Sequence, residues 1–397
     1  MALRRVRLNP FLQTRLLSVS IYLDHAATTP MNPAAIEAMS NALAIIGNPS
    51  SLHADGRAVR KYVEDARDLL AANIGCASSE IIFTGSGTEA NNIAIKGIFW
   101  KRNQGAVRPI IITSAIEHQA VLEPAQWLAS HEGAQHITIP TTTDGVISLD
   151  ALQLLVAEHG DSIALISVMH SNNETGVIQP IADIVEIAGD IPVHSDAIQS
   201  WSKVPFSFKE LGLFAASLSG HKVGGPIGIG ILVLQRGIDI PALIHGGGQE
   251  REIRSGTVNA PSIVALASAI SKSTYSSHDV AALRLSFERG IGHVIPDATI
   301  NGSEGERLPG ISSVTIPDAL NETLLLLLDG EKISCSTGAA CTAGVHRPSH
   351  VLEAMGLDDD SVMSTLRFSF GATSTQADVD AVIAALPAVV ERARSAR

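Results

Sequence analysis

The chain has 397 residues, of which 45% are hydrophobic and 17% charged, and its formal net charge is −12. This composition is typical of a well-buried globular protein of about two or three domains, and it disfavours a disordered chain or a surface for nucleic acid or anionic membrane. The three cysteines are too few for a disulfide framework and indicate a reducing compartment, and no apolar stretch approaches the roughly 18–20 residues of a membrane span.

Residues 1–20 differ from the rest of the chain, since they contain four arginines and no acidic residue. They lack the continuous apolar core of a secretory signal. We expect an extension outside the fold and a cytoplasmic protein. An organelle transit peptide, which would place the protein in the mitochondrial matrix, is the alternative.

Short apolar runs alternate with helical segments through most of the chain. The predicted strands are Ile21–Leu23, Glu80–Thr84, Ile110–Thr113, Ile163–Met169, Ile191–Ser195, Phe214–Leu218 and Ile227–Leu234. Between them lie predicted helices at Gly56–Ala72, Thr88–Trp100 and Val121–Ser130. This alternation predicts an α/β fold with a mostly parallel, doubly wound sheet, in which ligands bind at the carboxyl ends of the strands.

The pattern changes near residue 275. The helices predicted beyond the sheet are Pro261–Ser273, His278–Glu288, Glu322–Leu328, His350–Met355 and Gln376–Ala393, and the strands are Ser313–Ile316, Lys332–Ser334 and Leu366–Phe370. We therefore expect a large domain over residues 30–275 and a smaller α+β domain formed by residues 21–29 together with 276–397.

One lysine, Lys222, lies at the end of a predicted buried strand and is followed by two glycines. Burial disfavours the ammonium form and would free its amine to attack a carbonyl, although a solvated loop lysine is the alternative. Upstream, Gly85-Ser86-Gly87 joins a strand to a helix that begins near Thr88. Such a junction can bind phosphate through free backbone N–H groups, or can be a plain tight turn.

Other polar residues would complete a site for an aldehyde cofactor that acts as an electron sink. Asp196 can pair with a protonated pyridine nitrogen, or cap the next helix. His118 can stack on the ring, or be a satisfied core histidine. The remaining candidates are Gln199 and Asn173 for the ring hydroxyl, and Ser219, His221 and Thr88 for the phosphate.

Seven motifs in collinear order resemble the cysteine desulfurases, which are class V, fold-type-I pyridoxal-phosphate enzymes. The resemblance extends from Ile21 to the C-terminus and is closest to the actinobacterial members that serve iron–sulfur cluster assembly. The motifs are Asp24–Pro30, Thr88–Asn92, Glu117–Val121, Asn172–Gly176, Ser219–Lys222, His245–Glu250 and Arg254–Thr257.

The resemblance implies a role for each candidate. Lys222 would be the Schiff-base lysine, with Asp196 on the pyridine nitrogen and His118 on the ring face. The remaining cofactor contacts would be Gln199 and Asn173 on the ring-oxygen side, and Gly87, Thr88, Ser219 and His221 on the phosphate side. Thr257 would reach the phosphate of a partner subunit, which implies an obligate homodimer.

The kind of reaction that the resemblance implies depends on Cys341. It lies in a run of small residues, Thr337-Gly338-Ala339-Ala340-Cys341, where the family often shows Ser-Gly-Ser-Ala-Cys. A loop of this kind can bring a thiolate to a substrate, whereas a buried inert cysteine is the alternative. Arg367 matches the arginine that binds the substrate carboxylate in the family. Cys335 follows a predicted strand and is expected to be structural.

The resemblance thus implies conversion of L-cysteine to L-alanine, with transfer of sulfur to Cys341 and then to acceptor proteins such as an iron–sulfur scaffold. A selenocysteine lyase or a pyridoxal-phosphate aminotransferase remains an alternative, and a non-enzymatic sulfur-trafficking scaffold is disfavoured. No nucleic-acid or membrane partner is expected. No metal site is expected either, because Pro348 lies between His346 and His350 and the pair is not accompanied by a glutamate on the same helix, as the helix-borne zinc motif requires.

Overall fold

The computed structural model describes residues 20–338 and 348–396. Its strands are β1 Ile21–Tyr22, β2 Ile81–Thr84, β3 Ile110–Ser114, β4 Gln135–Ile139, β5 Ile163–Ser167, β6 Val193–Asp196, β7 Ala215–Ser219, β8 Gly230–Leu234, β9 Thr299–Ile300, β10 Ile311–Thr315, β11 Ile333–Ser334 and β12 Thr365–Ser369. Its helices are α1 Pro33–Leu43, α2 Ala54–Ile74, α3 Gly87–Arg102, α4 Gln119–Glu132, α5 Leu149–His159, α6 Ile181–Ala188, α7 Ala260–Ser271, α8 Ser277–Val294, α9 Asn321–Gly330, α10 His350–Ala354, α11 Asp359–Val362 and α12 Gln376–Ser395.

A seven-stranded sheet in the order β2-β8-β7-β6-β5-β3-β4 is the central element. Strand β8 runs antiparallel to β2 and β7, whereas the other neighbouring pairs are parallel. Its inner strands β3, β5, β6, β7 and β8 are buried at every position, and those such as Ile163–Ser167 are largely apolar, as expected for a sheet covered on both faces. The predicted α/β fold with a mostly parallel sheet is confirmed.

Smaller sheets lie in the C-terminal part. Strand β1 pairs in parallel with β11, and the antiparallel strands β12, β10 and β9 form a sheet beside them. Leu23, which follows β1, is fully buried in one hydrophobic core with Phe287, Phe368 and Leu386. The N-terminal strand is therefore built into the C-terminal core.

Most predicted elements lie within a few residues of the observed ones, but several were not predicted: α1, β4, α5, α6, β9 and α11. Strand β4 shows why. It forms one edge of the sheet, and of its five residues only Ile139 is buried, so its sequence has no apolar run. The predicted strand from Ile227 begins only at Gly230, since residues before it complete a turn that closes with the Gly220 N–H bonded to the Ile229 carbonyl.

The polar motifs lie at the carboxyl ends of the parallel strands of the sheet. Strands β3, β5, β6 and β7 are parallel neighbours, so their carboxyl ends lie together. Asp196 is the last residue of β6, and the segments that follow the other three strands carry His118, Asn173 and Lys222. Among the described residues, no helix is both long enough and apolar enough to cross a membrane.

Candidate active site

Lys222 closes the short turn that follows β7. Its Nζ donates hydrogen bonds to the carbonyl oxygens of Ala26, at 2.6 Å, and Ala27, at 2.8 Å. Burial, helped by the positive charge of Arg367, lowers the pKa of this amine to about 8. An appreciable fraction is therefore neutral and nucleophilic near pH 7.

Asp196 is the last residue of β6 and is buried. Its Oδ2 accepts a hydrogen bond from Asn91 Nδ2 at 2.7 Å, and its Oδ1 accepts one from the Ile198 N–H at 3.0 Å. Burial raises the pKa of the carboxyl, while the charges of His118 and Lys222 oppose that rise. A cationic group bound beside Asp196 would offset the cost of burying the carboxylate.

His118 is the N-cap of α4, where its Nδ1 accepts a hydrogen bond from the Ala120 N–H at 3.0 Å. Since Nδ1 is an acceptor, the ring proton of the neutral form lies on Nε2. Burial lowers the pKa of the imidazole, and only the charge of Asp196 opposes this shift. The ring is therefore neutral at pH 7, which suits it to stacking and to exchanging a proton.

Gln199 and Lys222 meet at one carbonyl. Gln199 Nε2 donates to the Ala26 oxygen at 2.8 Å, so this oxygen accepts from both side chains. The Gln199 Oε1 in turn accepts from Lys203 Nζ at 3.1 Å. Burial, with the charges of Lys222 and Arg367, lowers the pKa of Lys203 to about 7.

The turn before α3 packs tightly against two strand ends. A Cβ on Gly87 would overlap the Ile198 side chain and would lie 3.1 Å from the Ser219 Cβ. Ser86 caps α3 by accepting from the Glu89 N–H at 3.1 Å. The remaining N–H groups of the first turn and the positive helix end could bind an anion beside Ser219.

Thr88 and His221 have different surroundings. Thr88 is exposed, whereas His221 is partly buried and its Nδ1 lies 3.2 Å from the Thr28 hydroxyl. Burial lowers the pKa of His221 to about 4, so the ring is neutral. Both are therefore neutral donors at pH 7, whereas the N-terminus of α3 contributes a partial positive charge.

Thr257 is not brought to Lys222 within the single chain. It is exposed and lines a separate cavity between α1, α2 and α7. The loop that carries it is tied to the α3 turn through one carboxylate, because Glu89 accepts from Arg254 Nε at 2.7 Å and from the Gly85 N–H at 2.9 Å.

Arg367 lies on β12 with 5% of its surface exposed. Its Nη1 donates to the Asn173 carbonyl at 2.9 Å, and its Nη2 pairs with Asp24 Oδ1 at 2.8 Å. The structure thus joins Asn173 to Arg367 through the Asn173 backbone.

Cys341 lies outside the described residues, as do Ala339, Ala340 and His346. The described residues on either side of positions 339–347 lie close to the carboxylate of Glu174. Ser349 donates a hydrogen bond to Glu174 Oε2 at 2.5 Å, and a Cβ on Gly338 would lie 3.2 Å from the same oxygen. Burial raises the pKa of both described cysteines, Cys76 and Cys335, to about 12, which leaves their thiols protonated and unreactive.

Three further residues were missed in the sequence analysis: Asp24, Asn91 and Lys203. Asp24 and Asn91 each lie inside a motif quoted above, but nothing local assigned them a partner. Lys203 follows Gln199 by four residues, a spacing that brings side chains together in a helical turn, and this was the available signal.

The donor set is chemically suited to pyridoxal phosphate. It combines a neutral-prone amine, a buried carboxyl that a cation would stabilise, a neutral imidazole and an anion site at a helix N-terminus. Among the described residues, no group of three or more His, Cys, Asp or Glu side chains is arranged to hold a metal ion.

Comparison with known proteins agrees with this arrangement. The family model described as aminotransferase class-V matches residues 21–382. The chain is 48% identical to the IscS-like cysteine desulfurase of Mycobacterium tuberculosis, over 94% of this chain and 97% of the relative. The solved structure of a NifS-like protein matches with a TM-score of 0.86 and 34% identity, over 94% of this chain and 100% of that one. That of SspA in complex with cysteine matches with a TM-score of 0.79 and 32% identity, over 90% and 100%.

The chain therefore belongs to the aminotransferase class-V family. Within that family its relatives are cysteine desulfurases of the IscS and NifS kinds. The family predicted from the seven motifs is confirmed.

Proposed function

We propose that the chain is a pyridoxal-phosphate-dependent cysteine desulfurase, which converts L-cysteine to L-alanine and transfers the sulfur to Cys341. The observation that carries this proposal is the position of the Lys222 amine. The amine is held by the Ala26 and Ala27 carbonyls, and burial together with the charge of Arg367 lowers its pKa to about 8, while the charges of Asp24 and Asp196 oppose this shift. The names of the relatives and the cysteine-bound SspA structure support the choice of substrate.

The cofactor would be held at both ends. Asp196 would face the pyridine nitrogen, His118 the ring, and Gln199 and Asn173 the ring oxygen. The phosphate would be held by the α3 turn, and the contributing residues would be Gly87, Thr88, Ser219, His221 and Thr257 of the partner subunit. When bound, pyridoxal phosphate acts as an electron sink that labilises the bonds to the substrate α-carbon and, through it, the C–S bond.

The chain's own residues would do the rest. Arg367 orients the substrate carboxylate, and the Lys222 amine, once free, accepts and returns the α-proton. The Cys341 thiolate attacks the substrate sulfur. An S–S bond forms as the C–S bond breaks, the electron pair of the broken bond stays with the carbon skeleton, and protonation of that carbon gives alanine while Cys341 carries a persulfide.

The organisation of the chain supports transfer of this sulfur onward. We propose residues 30–275 as the cofactor-binding domain, and residues 21–29 with 276–397 as the domain that carries Cys341, because Leu23 is buried in the C-terminal core. We further propose a homodimer in the cytoplasm that hands sulfur to acceptor proteins such as an iron–sulfur scaffold. Because the thiols of partly buried Cys76 and buried Cys335 are protonated, we propose Cys341 as the carrier among the three cysteines.

Intact-mass analysis after brief exposure to L-cysteine tests this proposal. We expect a mass gain of one sulfur atom in the wild type and in Cys335→Ala, the matched control for a thiol in the same region, and no gain in Cys341→Ala. A gain that persists in Cys341→Ala would refute the carrier. No gain in any variant that binds the cofactor would favour a selenocysteine lyase or an aminotransferase.

A further inference from the structure

A continuous chain of hydrogen bonds joins two amines behind the proposed cofactor site. Lys203 Nζ donates to Gln199 Oε1 at 3.1 Å, and Gln199 Nε2 donates to the Ala26 oxygen at 2.8 Å. Lys222 Nζ donates to the same oxygen at 2.6 Å. Three hydrogen bonds, through the Gln199 amide and the Ala26 carbonyl, thus connect the amine of Lys203 to the amine of Lys222.

This chain of contacts fixes the orientation of the Gln199 amide. In the opposite orientation Oε1 would face the Ala26 oxygen, which is also an acceptor, and Nε2 would face the ammonium group, which is also a donor. Only the observed orientation satisfies both neighbours. It also leaves the second proton of Nε2 available for another acceptor.

Lys203 has no evident role in stability. Within residues 20–338 and 348–396, the Gln199 amide is the hydrogen-bond partner of its amine, and none of the ion pairs includes Lys203. The groups that face it are cationic or basic. The charges of Lys222 and Arg367 act on Lys203, and the charge of Lys203 acts on His25 and His221. A partly buried amine among cationic groups costs folding free energy when it is charged, so its presence here calls for another explanation.

We propose that Lys203 is a positioning residue, which holds the Gln199 amide so that Nε2 is directed to the Lys222 side of the site. The inference rests on the proposed function, because Gln199 is there assigned to the ring oxygen of pyridoxal phosphate. Loss of Lys203 leaves Oε1 without its donor and lets the amide rotate. Loss of the Lys203 charge also raises the pKa of groups near Lys222, because a nearby positive charge disfavours their protonated forms.

Titration of apo-protein with pyridoxal phosphate, followed by visible absorbance, tests the inference. We expect Lys203→Met to raise the dissociation constant about tenfold, since a hydrogen bond from a charged donor is lost. The pH at the midpoint of the absorbance change of bound pyridoxal phosphate should also rise. Lys203→Arg, which keeps the donor and the charge, should restore both values to within about threefold of the wild type.

Lys209→Met is the matched control, because Lys209 is an exposed lysine six residues further along the chain. It should leave both values unchanged. If Lys203→Met does not fold, the shorter neutral variant Lys203→Gln replaces it, with the same direction expected. A folded Met or Gln variant with wild-type affinity and midpoint overturns the inference. Failure of the wild type to bind pyridoxal phosphate would instead overturn the proposed function.

Discussion

Arg367 and Asp24 form a 2.8 Å ion pair between residues 343 positions apart in the sequence. The Nη1 of Arg367 is also bonded, to the Asn173 carbonyl, whereas its Nε has no partner among the described residues. Asp24 thus fixes the plane of the guanidinium and leaves donor capacity for a carboxylate. A substrate carboxylate would share Arg367 with Asp24.

Arg367→Lys should therefore weaken substrate binding more than turnover. Lysine cannot bond Asp24, the Asn173 carbonyl and a substrate carboxylate in the geometry of a planar fork. We expect the KM for L-cysteine to rise about 10- to 100-fold, as for loss of a charged hydrogen bond. Steady-state alanine formation measures this. Arg394→Lys, at a half-exposed site near the C-terminus, is the control. An unchanged KM in Arg367→Lys would remove Arg367 from the substrate site.

Lys222→Ala should abolish covalent attachment of the cofactor. After borohydride reduction, the intact mass of the wild type should include the pyridoxyl phosphate group, and that of Lys222→Ala should not. The reason is that Lys222 has a pKa lowered to about 8 and follows directly on the carboxyl end of β7. Lys209→Ala serves as the control for non-specific reduction at exposed lysines. Attachment that survives in Lys222→Ala would place the reactive amine elsewhere.

The rate of that attachment should depend on pH. The pKa of Lys222 is lowered to about 8, so the fraction of neutral amine falls about tenfold for each pH unit below this value. The rate at which apo-protein takes up pyridoxal phosphate should rise between pH 6 and pH 8 and level off above it. A rate still rising in proportion at pH 10 would mean that the Lys222 pKa is not lowered.

The sequence predicted candidate reactive groups but not the contacts that tune them. Lys222, Asp196 and His118 lie at or next to strand ends, so local pattern and motif sufficed to propose them. Lys203 and Asp24 act through partners that only the tertiary structure brings close. The edge strand β4 was missed because only one of its residues is buried, so its sequence has no periodic hydrophobic signal.

Asp196→Asn should preserve the shape of the site and remove its charge. A neutral amide can still accept one of the bonds from Asn91 and Ile198, but it cannot balance a protonated pyridine nitrogen. We expect turnover to fall by about 100-fold or more, with the fold retained by circular dichroism. Asn91→Ala, which removes one bond and keeps the charge, should cost about tenfold or less. Equal losses in the two variants would show that the charge of Asp196 is not what matters.

Glu117 provides a test of burial that does not depend on turnover. This carboxyl is fully buried beneath the site, its Oε2 has no partner among the described residues, and burial raises its pKa to about 8. The Ser114 hydroxyl and the Met169 N–H oppose that rise through their bonds to Oε1. The folded protein therefore keeps the proton up to about pH 8, whereas unfolded glutamate releases it near pH 4.3.

Between those two values the folded state binds more protons than the unfolded state, so Glu117 makes the protein less stable as pH rises. Glu117→Gln has no proton to lose. Its free energy of unfolding, relative to that of the wild type, should therefore increase from pH 5 to pH 8, with an upper limit of about 1.4 kcal/mol per pH unit. Urea unfolding of the apo-proteins at four pH values measures the difference, with exposed Glu123→Gln on α4 as control. Parallel pH profiles for wild type and Glu117→Gln would mean that Glu117 is ionised in the folded protein, and that its unpaired Oε2 has found a donor.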